Sequence, residues 1–387
     1  MRVLVAFDKF KDSLASSAAC ALAADALRAA HPDWQLDLCP LTDGGDGFCD
    51  ILTLAANGTL EKLFVTGPRG DRIEAAVGFV PLENIPPAAR ALLAMENRES
   101  KIENSAIAVI EMATASGLAL LSPDRRDPWQ ATTLGTGELL RGAARPGVAA
   151  LLLGIGGSAT SDLGLGALAA LGLEFLTARG ERVHPPAPAR WWEIARIAGR
   201  VAPDFPPLRI ACDVTNALLG PRGAAAIYGP QKGLPEADVA RLDHEKARLA
   251  LMLCSHCGQA DTLMEAPGAG AAGGLGFGLM AAAGARLLPG FEFVSAWLDL
   301  APRLAAADLV ITGEGRFDAS SLEGKGPGAV AARGLALGKR VHVFAGAVTV
   351  PPQECLALHA ITPAGTPLAQ ALRDTSANLT AAIRQAF

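Results

Sequence analysis

At 387 residues, half of them hydrophobic and 19% charged, the chain is too long for one ordinary core and too apolar to stay unfolded, so two packed domains are expected. A net charge of -5, no basic block and few aromatic residues exclude a nucleic-acid binder, because affinity for a phosphate backbone needs clustered Lys and Arg. Seven scattered cysteines, with no apolar leader ahead of the first strand, predict reduced thiols and a cytoplasmic protein; Cys254 and Cys257 have a CxxC spacing but lack a second zinc-ligand pair.

In chain order, Arg2 to Phe7 is an apolar strand, followed by the charged loop Asp8-Lys-Phe-Lys-Asp-Ser13 and an alanine-rich helix from Ala18 to Ala29, capped by Ser13 or Ser16. Gln35 to Pro40 is a second strand running into Leu41-Thr-Asp-Gly-Gly-Asp-Gly47, and Phe48 to Ala56 is helical. Twice, then, a strand delivers its C-terminal end into a polar loop, where ligands sit in doubly wound sheets. The turn Val65 to Gly70 and the strand Arg72 to Val80 read as part of a hairpin, and Pro86 to Asn104 as a surface excursion. Ala106 to Met112 is a strand, and Thr132 to Gly142 a turn and helix.

The stretch LLLGIGGSATSDLGLG, Leu151 to Gly166, places a strand, a glycine- and hydroxyl-rich turn and a helix start in succession, which makes an anion site of unpaired N–H groups. Asp162 within it either caps the helix or holds a cation. Leu173 to Leu176 and Leu208 to Val214 are strands, Gly220 to Gly233 is a long loop, and Glu236 to Met252 is an amphipathic surface helix. The 20 residues Ala266 to Ala285 carry no charge, but they are mostly Gly and Ala with Pro267 near the start, so they read as a loop feeding a buried helix rather than a membrane span. Asp308 to Thr312 is a strand, Gly313 to Lys325 a polar loop and Pro327 to Leu337 a helix; the strands Arg340 to Ala345 and Ala360 to Pro363 precede a C-terminal helix. Both ends share a βα grammar that the middle lacks. The fold class is therefore α/β: a discontinuous doubly wound domain from residues 1–64 and 290–387, with a mixed α/β domain, 65–289, inserted.

Four loops, three of them with glycines, carry the charge: Asp8 to Ser13, Asp43 to Asp46, Asp213 with Arg222 and Lys232, and Gly313 to Asp318 with Lys325. Lysines, arginines, carboxylates and glycine cradles at strand ends suit phosphoryl transfer, which needs cations for the moving group, a carboxylate for Mg²⁺ and another to orient the attacking hydroxyl. No GxxxxGK[ST], HRD or DFG occurs, so neither a P-loop nor a protein-kinase fold is present. Two rivals exist. Gly154, Gly156 and Ala159 fit G-x-G-x-x-A, with Glu174 twenty residues past Gly154, so an NAD-dependent hydroxyacid dehydrogenase competes, though it leaves the lysines of the first loop and the Glu314/Arg316/Asp318 loop unexplained. A two-lobed binding protein without chemistry would need fewer carboxylates.

The segments FDKFKDSL, LTDGGDGF, IEMATASGLALL, GTGELL, GIGGSATSD, ACDVTNALLGPRGAAAIYGPQKG, GAGAAGGLGFG and ITGEGRFDASSLEGK, in this order, resemble the bacterial glycerate kinase family from Val3 to about Gly346. The chain departs from the family pattern at Lys9, Asp12, Asp46, Phe48, Ser161 and Phe317, and in a longer excursion from Glu83 to Asn104. The resemblance implies a flavodoxin-like domain split by an inserted α/β domain, an active site in the cleft, and phosphorylation of D-glycerate by ATP with Mg²⁺, usually to 2-phosphoglycerate, with 3-phosphoglycerate the alternative. On that reading Arg316 or Lys11 grips the substrate carboxylate, and Asp43 or Asp213 orients the reacting hydroxyl. Gly156, Gly157, Ser158, Ala159 and Thr160 cradle the phosphates, Lys232 neutralises transferred charge, and Asp162, Glu314 and Asp318 are the metal candidates. The partner is a small molecule; neither nucleic acid nor membrane is expected, and whether the chain forms a homo-oligomer is open.

Overall fold

The computed structural model describes residues 1–93, 105–322, 324, 326–351 and 355–387. It divides into two compact units, one made of Met1–Asp43 with Phe291–Phe387 and the other of Gly44–Gly290. The boundary expected at residue 65 thus falls inside the second unit, which takes in the Phe48–Ala55 helix and the strand after it.

The first unit opens with β1 (Arg2–Phe7), whose last five residues are all buried, the continuous apolar run of a strand covered on both faces. The helix Ser16–Ala30 follows, turning Ala19, Cys20, Ala23, Ala26 and Leu27 inward at helical spacing. Next comes β2 (Gln35–Leu38), parallel to β1.

The chain then builds the second unit. In order it forms β3 (Thr59–Thr66), β4 (Arg72–Pro81), β5 (Ala106–Glu111), β6 (Val148–Gly154), β7 (Leu173–Leu176), β8 (Arg196–Gly199), β9 (Leu208–Ala211) and β10 (Arg286–Leu288). Six of these lie side by side as β10-β9-β6-β5-β4-β3; the first four are mutually parallel and the β3–β4 hairpin is antiparallel. β7 and β8 form a separate two-stranded sheet. The expected surface helix runs Val239–Cys257 and is amphipathic, with Leu242, Leu249 and Leu253 buried. The uncharged segment supplies the mostly buried helix Leu275–Ala283. Among the described residues no helix is long and apolar enough to cross a membrane. Part of the excursion forms the helix Pro87–Leu93; the remainder, 94–104, lies outside the described residues.

Returning to the first unit, the chain adds β11 (Leu309–Phe317), β12 (Arg340–Val348) and β13 (Leu356–Ala360). The sheet order is β13-β12-β11-β1-β2, all parallel, which is the flavodoxin-like order 2-1-3-4-5. β11 does not stop at Thr312 as the glycines suggested. It continues to Phe317, because Glu314 and Arg316 stay paired with Ala345 and Ala347 of β12. The last strand ends at Ala360 rather than beginning there. Val3, Val5 and Phe7 share one core with the helices Ser16–Ala30 and Leu368–Ala386, while the helix Gly326–Ala336 packs against β11 and β12 on the other face.

Candidate functional site

In an open parallel sheet, ligands collect outside the C-terminal strand ends where the strand order reverses. In the first unit that point lies between β1 and β11. Asp8 leaves β1 there, its N–H donating to the Gly313 carbonyl of β11 at 3.0 Å, and Glu314 follows on β11. Asp8 accepts from the Lys9 N–H at 2.7 Å, and Lys9 Nζ lies 3.9 Å from Asp43. Burial raises the Asp8 carboxyl to about 7, helped by Asp43 and Glu314 and opposed by Lys9. Burial likewise raises Glu314 to about 7, with Asp318 and Asp43 adding like charge, and its Oε1 is buried without a hydrogen-bond partner. Arg316 is exposed, and its Nε pairs with Asp318 at 3.0 Å. Lys11 is exposed on the left-handed turn that Asp12 completes at φ 61°, and a Cβ at Gly315 would come within 3.3 Å of the Lys11 N. Lys11, Asp43, Glu314, Arg316 and Asp318 therefore gather on one edge of one unit. Asp8 belongs with them and was not singled out from sequence; ending the strand beside Glu314 was the signal. Lys325 lies outside the described residues.

In the second unit, segments far apart in sequence converge on the turn after β6. Gly156 N–H donates to the Gly44 carbonyl at 2.9 Å, and a Cβ on Gly156 would sit 2.6 Å from Gly45 Cα, so the two glycine loops touch backbone to backbone. The Ala159 N–H donates to Ser116 O at 2.9 Å and the Leu118 N–H to Gly157 O at 2.8 Å. Gly157 is exposed at φ 72°, and among the described residues neither its N–H nor that of Ser158 donates to a protein acceptor. Thr160 Oγ1 and Ser161 Oγ are buried with no partner. Asp213, half-buried, follows β9, whose last carbonyl, on Ala211, a Cβ on Gly44 would approach to 3.1 Å.

Lys232 comes from the turn Gly229-Pro-Gln-Lys-Gly233, closed by the Lys232 N–H to Gly229 O at 3.0 Å and ended by Gly233 at φ 92°. Its side chain enters the core behind the Gly156 to Thr160 turn, where Nζ donates to Ser158 Oγ at 2.7 Å and Thr160 O at 2.6 Å. Lys232, expected to neutralise transferred charge, is 1% exposed and reaches the turn from within. Burial lowers its ammonium to about 7, Lys246 adding to the effect and Asp162 opposing it.

The expectation that Asp162 caps the helix or holds a cation meets a carboxylate already engaged by the protein. It is wholly buried and accepts from Thr133 N at 2.7 Å, Thr133 Oγ1 at 2.9 Å, Gly164 N at 3.2 Å and Gly166 N at 3.3 Å. Burial raises this carboxyl while those donors pull it back. The helix after it is only Leu165–Ala170, and its Ala167 N–H donates to Thr133 Oγ1, so its first-turn donors serve the protein; whatever anion-binding capacity exists lies in the turn, not at a helix end. Among the described residues no group of three or more His, Cys, Asp or Glu is arranged to hold a metal, and Cys254 and Cys257 are free thiols.

The dehydrogenase reading fails on placement. Glu174 lies on β7, in a sheet separate from β6, and pairs with Arg182 rather than following the next strand of the Gly154 sheet as a dinucleotide fold requires.

A flavodoxin-order sheet with acids at its switch point, and a glycine-hydroxyl turn on a second, mixed sheet, mark an α/β enzyme. The chain belongs to the glycerate kinase family, whose model matches residues 3–387, and is therefore a kinase. It is 37% identical over 349 residues to the glycerate kinase of Halalkalibacterium halodurans, covering 89% of this chain and 85% of that one. It is 36% identical over 355 residues to the glycerate 2-kinase of Escherichia coli K12, covering 90% and 86%. The crystal structure of a putative glycerate kinase 2 from Salmonella typhimurium LT2 superposes with a TM-score of 0.75 at 35% identity, covering 100% of this chain and 97% of that one.

Proposed function

We propose that the protein phosphorylates D-glycerate with ATP, giving 2-phosphoglycerate and ADP, and that the reaction draws on residues of both units. The observation carrying this is the turn Gly156 to Thr160, held by the segments around Gly44 and Ser116 and by Lys232, which leaves the Gly157 and Ser158 N–H groups for phosphate oxygens. Lys232 adds positive charge from behind the turn. Glu314 and Asp318 would hold Mg²⁺: Glu314 Oε1 is buried and unpartnered, its carboxyl is crowded by like charge, and one or two carboxylates plus phosphate oxygens and water suffice for this ion. Mg²⁺ would neutralise charge on the transferred phosphoryl group. With Asp318 so engaged, Arg316 is released to grip the glycerate carboxylate by a charge-assisted pair, or Lys11 does so from the facing turn. Asp43 or Asp213 orients the reacting hydroxyl and accepts its proton.

The test is purified protein with ATP, Mg²⁺ and D-glycerate, coupled either to enolase alone or through phosphoglycerate mutase. Signal with enolase alone is expected. Signal only with mutase makes the product 3-phosphoglycerate, and no ADP in either format overturns the reading.

A further inference from the structure

Lys246 lies in the middle of the helix Val239–Cys257, on the same stripe as Leu242, Leu249 and Leu253, and is fully buried. Its Nζ donates to Ser161 O at 2.9 Å and to Gly273 O at 2.5 Å. The second acceptor belongs to a left-handed run, Ala272 at φ 50°, Gly273 at 71° and Gly274 at 99°, a costly backbone for the alanine in particular. Gly273 is pressed so close to the end of the phosphate turn that a Cβ there would overlap the Thr160 carbonyl and come within 2.6 Å of Ser161 Cα. A methionine would fill the same space without stripping water from an amine, so packing alone does not call for a lysine here. What the amine adds is two hydrogen bonds, one to each of two backbones that are otherwise joined by the long Leu163 N–H to Gly273 O bond at 3.4 Å.

We propose that Lys246 is a positioning residue for phosphoryl transfer: by tying Ser161 to Gly273 it fixes the far end of the Gly156 to Ser161 turn in its nucleotide-binding shape. The assignment rests on reading that turn as the phosphate cradle. Lys232 secures the neighbouring carbonyl, that of Thr160, so consecutive carbonyls are each held by a different lysine. Lys246 itself touches no reacting atom.

Two full-length variants test it, Lys246→Met, which removes both donors, and Lys246→Gln, whose amide keeps two. Steady-state kinetics and titration with a fluorescent ADP analogue are read together. Losing a hydrogen bond to the loop is expected to raise KM for ATP and weaken ADP-analogue binding about tenfold in the Met variant, with KM for glycerate unchanged and part of the loss recovered by Gln. A purely structural lysine would instead lower the active fraction with nucleotide affinity intact, and that result in the Met variant overturns the proposal. Where the Met variant does not fold, Gln is read alone: weaker nucleotide binding supports the assignment, and wild-type affinity with a lower denaturation midpoint overturns it. A wild-type protein that binds no nucleotide would sink the cradle reading as well, which separates the two failures.

Discussion

Asp162 has no exposed surface and accepts four hydrogen bonds of 3.3 Å or less, among two buried lysines. Replacing it by Asn puts an amide N–H₂ against donors and removes a charge that opposes the lowering of Lys232 and, together with Asp243, of Lys246. We expect Asp162→Asn to lose about 3–5 kcal/mol in denaturant unfolding, with the Mg²⁺ dependence of the remaining activity unchanged; a stable variant with a shifted Mg²⁺ requirement would return the residue to the metal set. Asp8 and Glu314 behave differently. Each sits near 7 in the fold against ordinary values of 3.8 and 4.5, so the folded state binds more protons than the unfolded chain in that window, and stability falls as pH rises through it. Glu314→Gln should therefore match wild type near pH 4.5 and grow more stable relative to it up to about pH 7, with Asp8→Asn alike. Urea midpoints measured across that range decide the matter, and a constant difference would show that these carboxyls are not raised. Sequence revealed these residue types but not their surroundings. Asp162 sits in a hydroxyl-rich turn whether it caps or coordinates, and only the fold shows Thr133 closing over it. Lys246 was legible in principle, as a lysine in register with three leucines, but a long polar helix reads as surface until its partner is known.

At the scale of elements, the glycines at the sites decide how closely backbones approach. A methyl group on Gly156 would meet Gly45 Cα at 2.6 Å and Gly45 N at 2.9 Å, and neither is a side chain that can swing away. Gly156→Ala should force the two loops apart, costing about 1–3 kcal/mol in stability and raising KM for ATP. Gly220→Ala is the control, since Gly220 has positive φ but open space around it, and should show backbone strain without the kinetic change. Equal KM in the two variants would detach the turn from nucleotide binding. Elements with strong patterns were readable: the all-apolar β1, the alanine helix after it, and β6 before its glycines. β11 was cut short because Gly313 and Gly315 look like loop residues. They are instead strand positions; a Cβ at Gly313 would strike the Phe344 carbonyl, whereas one at Gly315 would only press on the Lys11 N at 3.3 Å.

For the whole molecule, the shared βα grammar of the two termini predicts a discontinuous domain ending at residue 64, while the compact units divide at Asp43 and Gly44, the Phe48–Ala55 helix packing on β4 and β5. That packing depends on contacts between residues far apart in sequence, which local pattern does not carry. The second unit is one continuous stretch with its own core, from Val77 and Ile110 to Leu249 and Phe277. A fragment of residues 44–290 should accordingly fold alone with one cooperative transition. Because the phosphate turn and all the segments that pin it lie within the fragment, it should bind an ADP analogue. Because Asp8, Glu314, Arg316 and Asp318 do not, it should transfer no phosphate to glycerate. Calorimetry and fluorescence titration of the fragment check the two halves of this prediction independently. Cooperative unfolding without nucleotide binding would move the phosphate site out of the second unit, whereas binding with measurable turnover would strip the acids at the β1–β11 switch point of their proposed role.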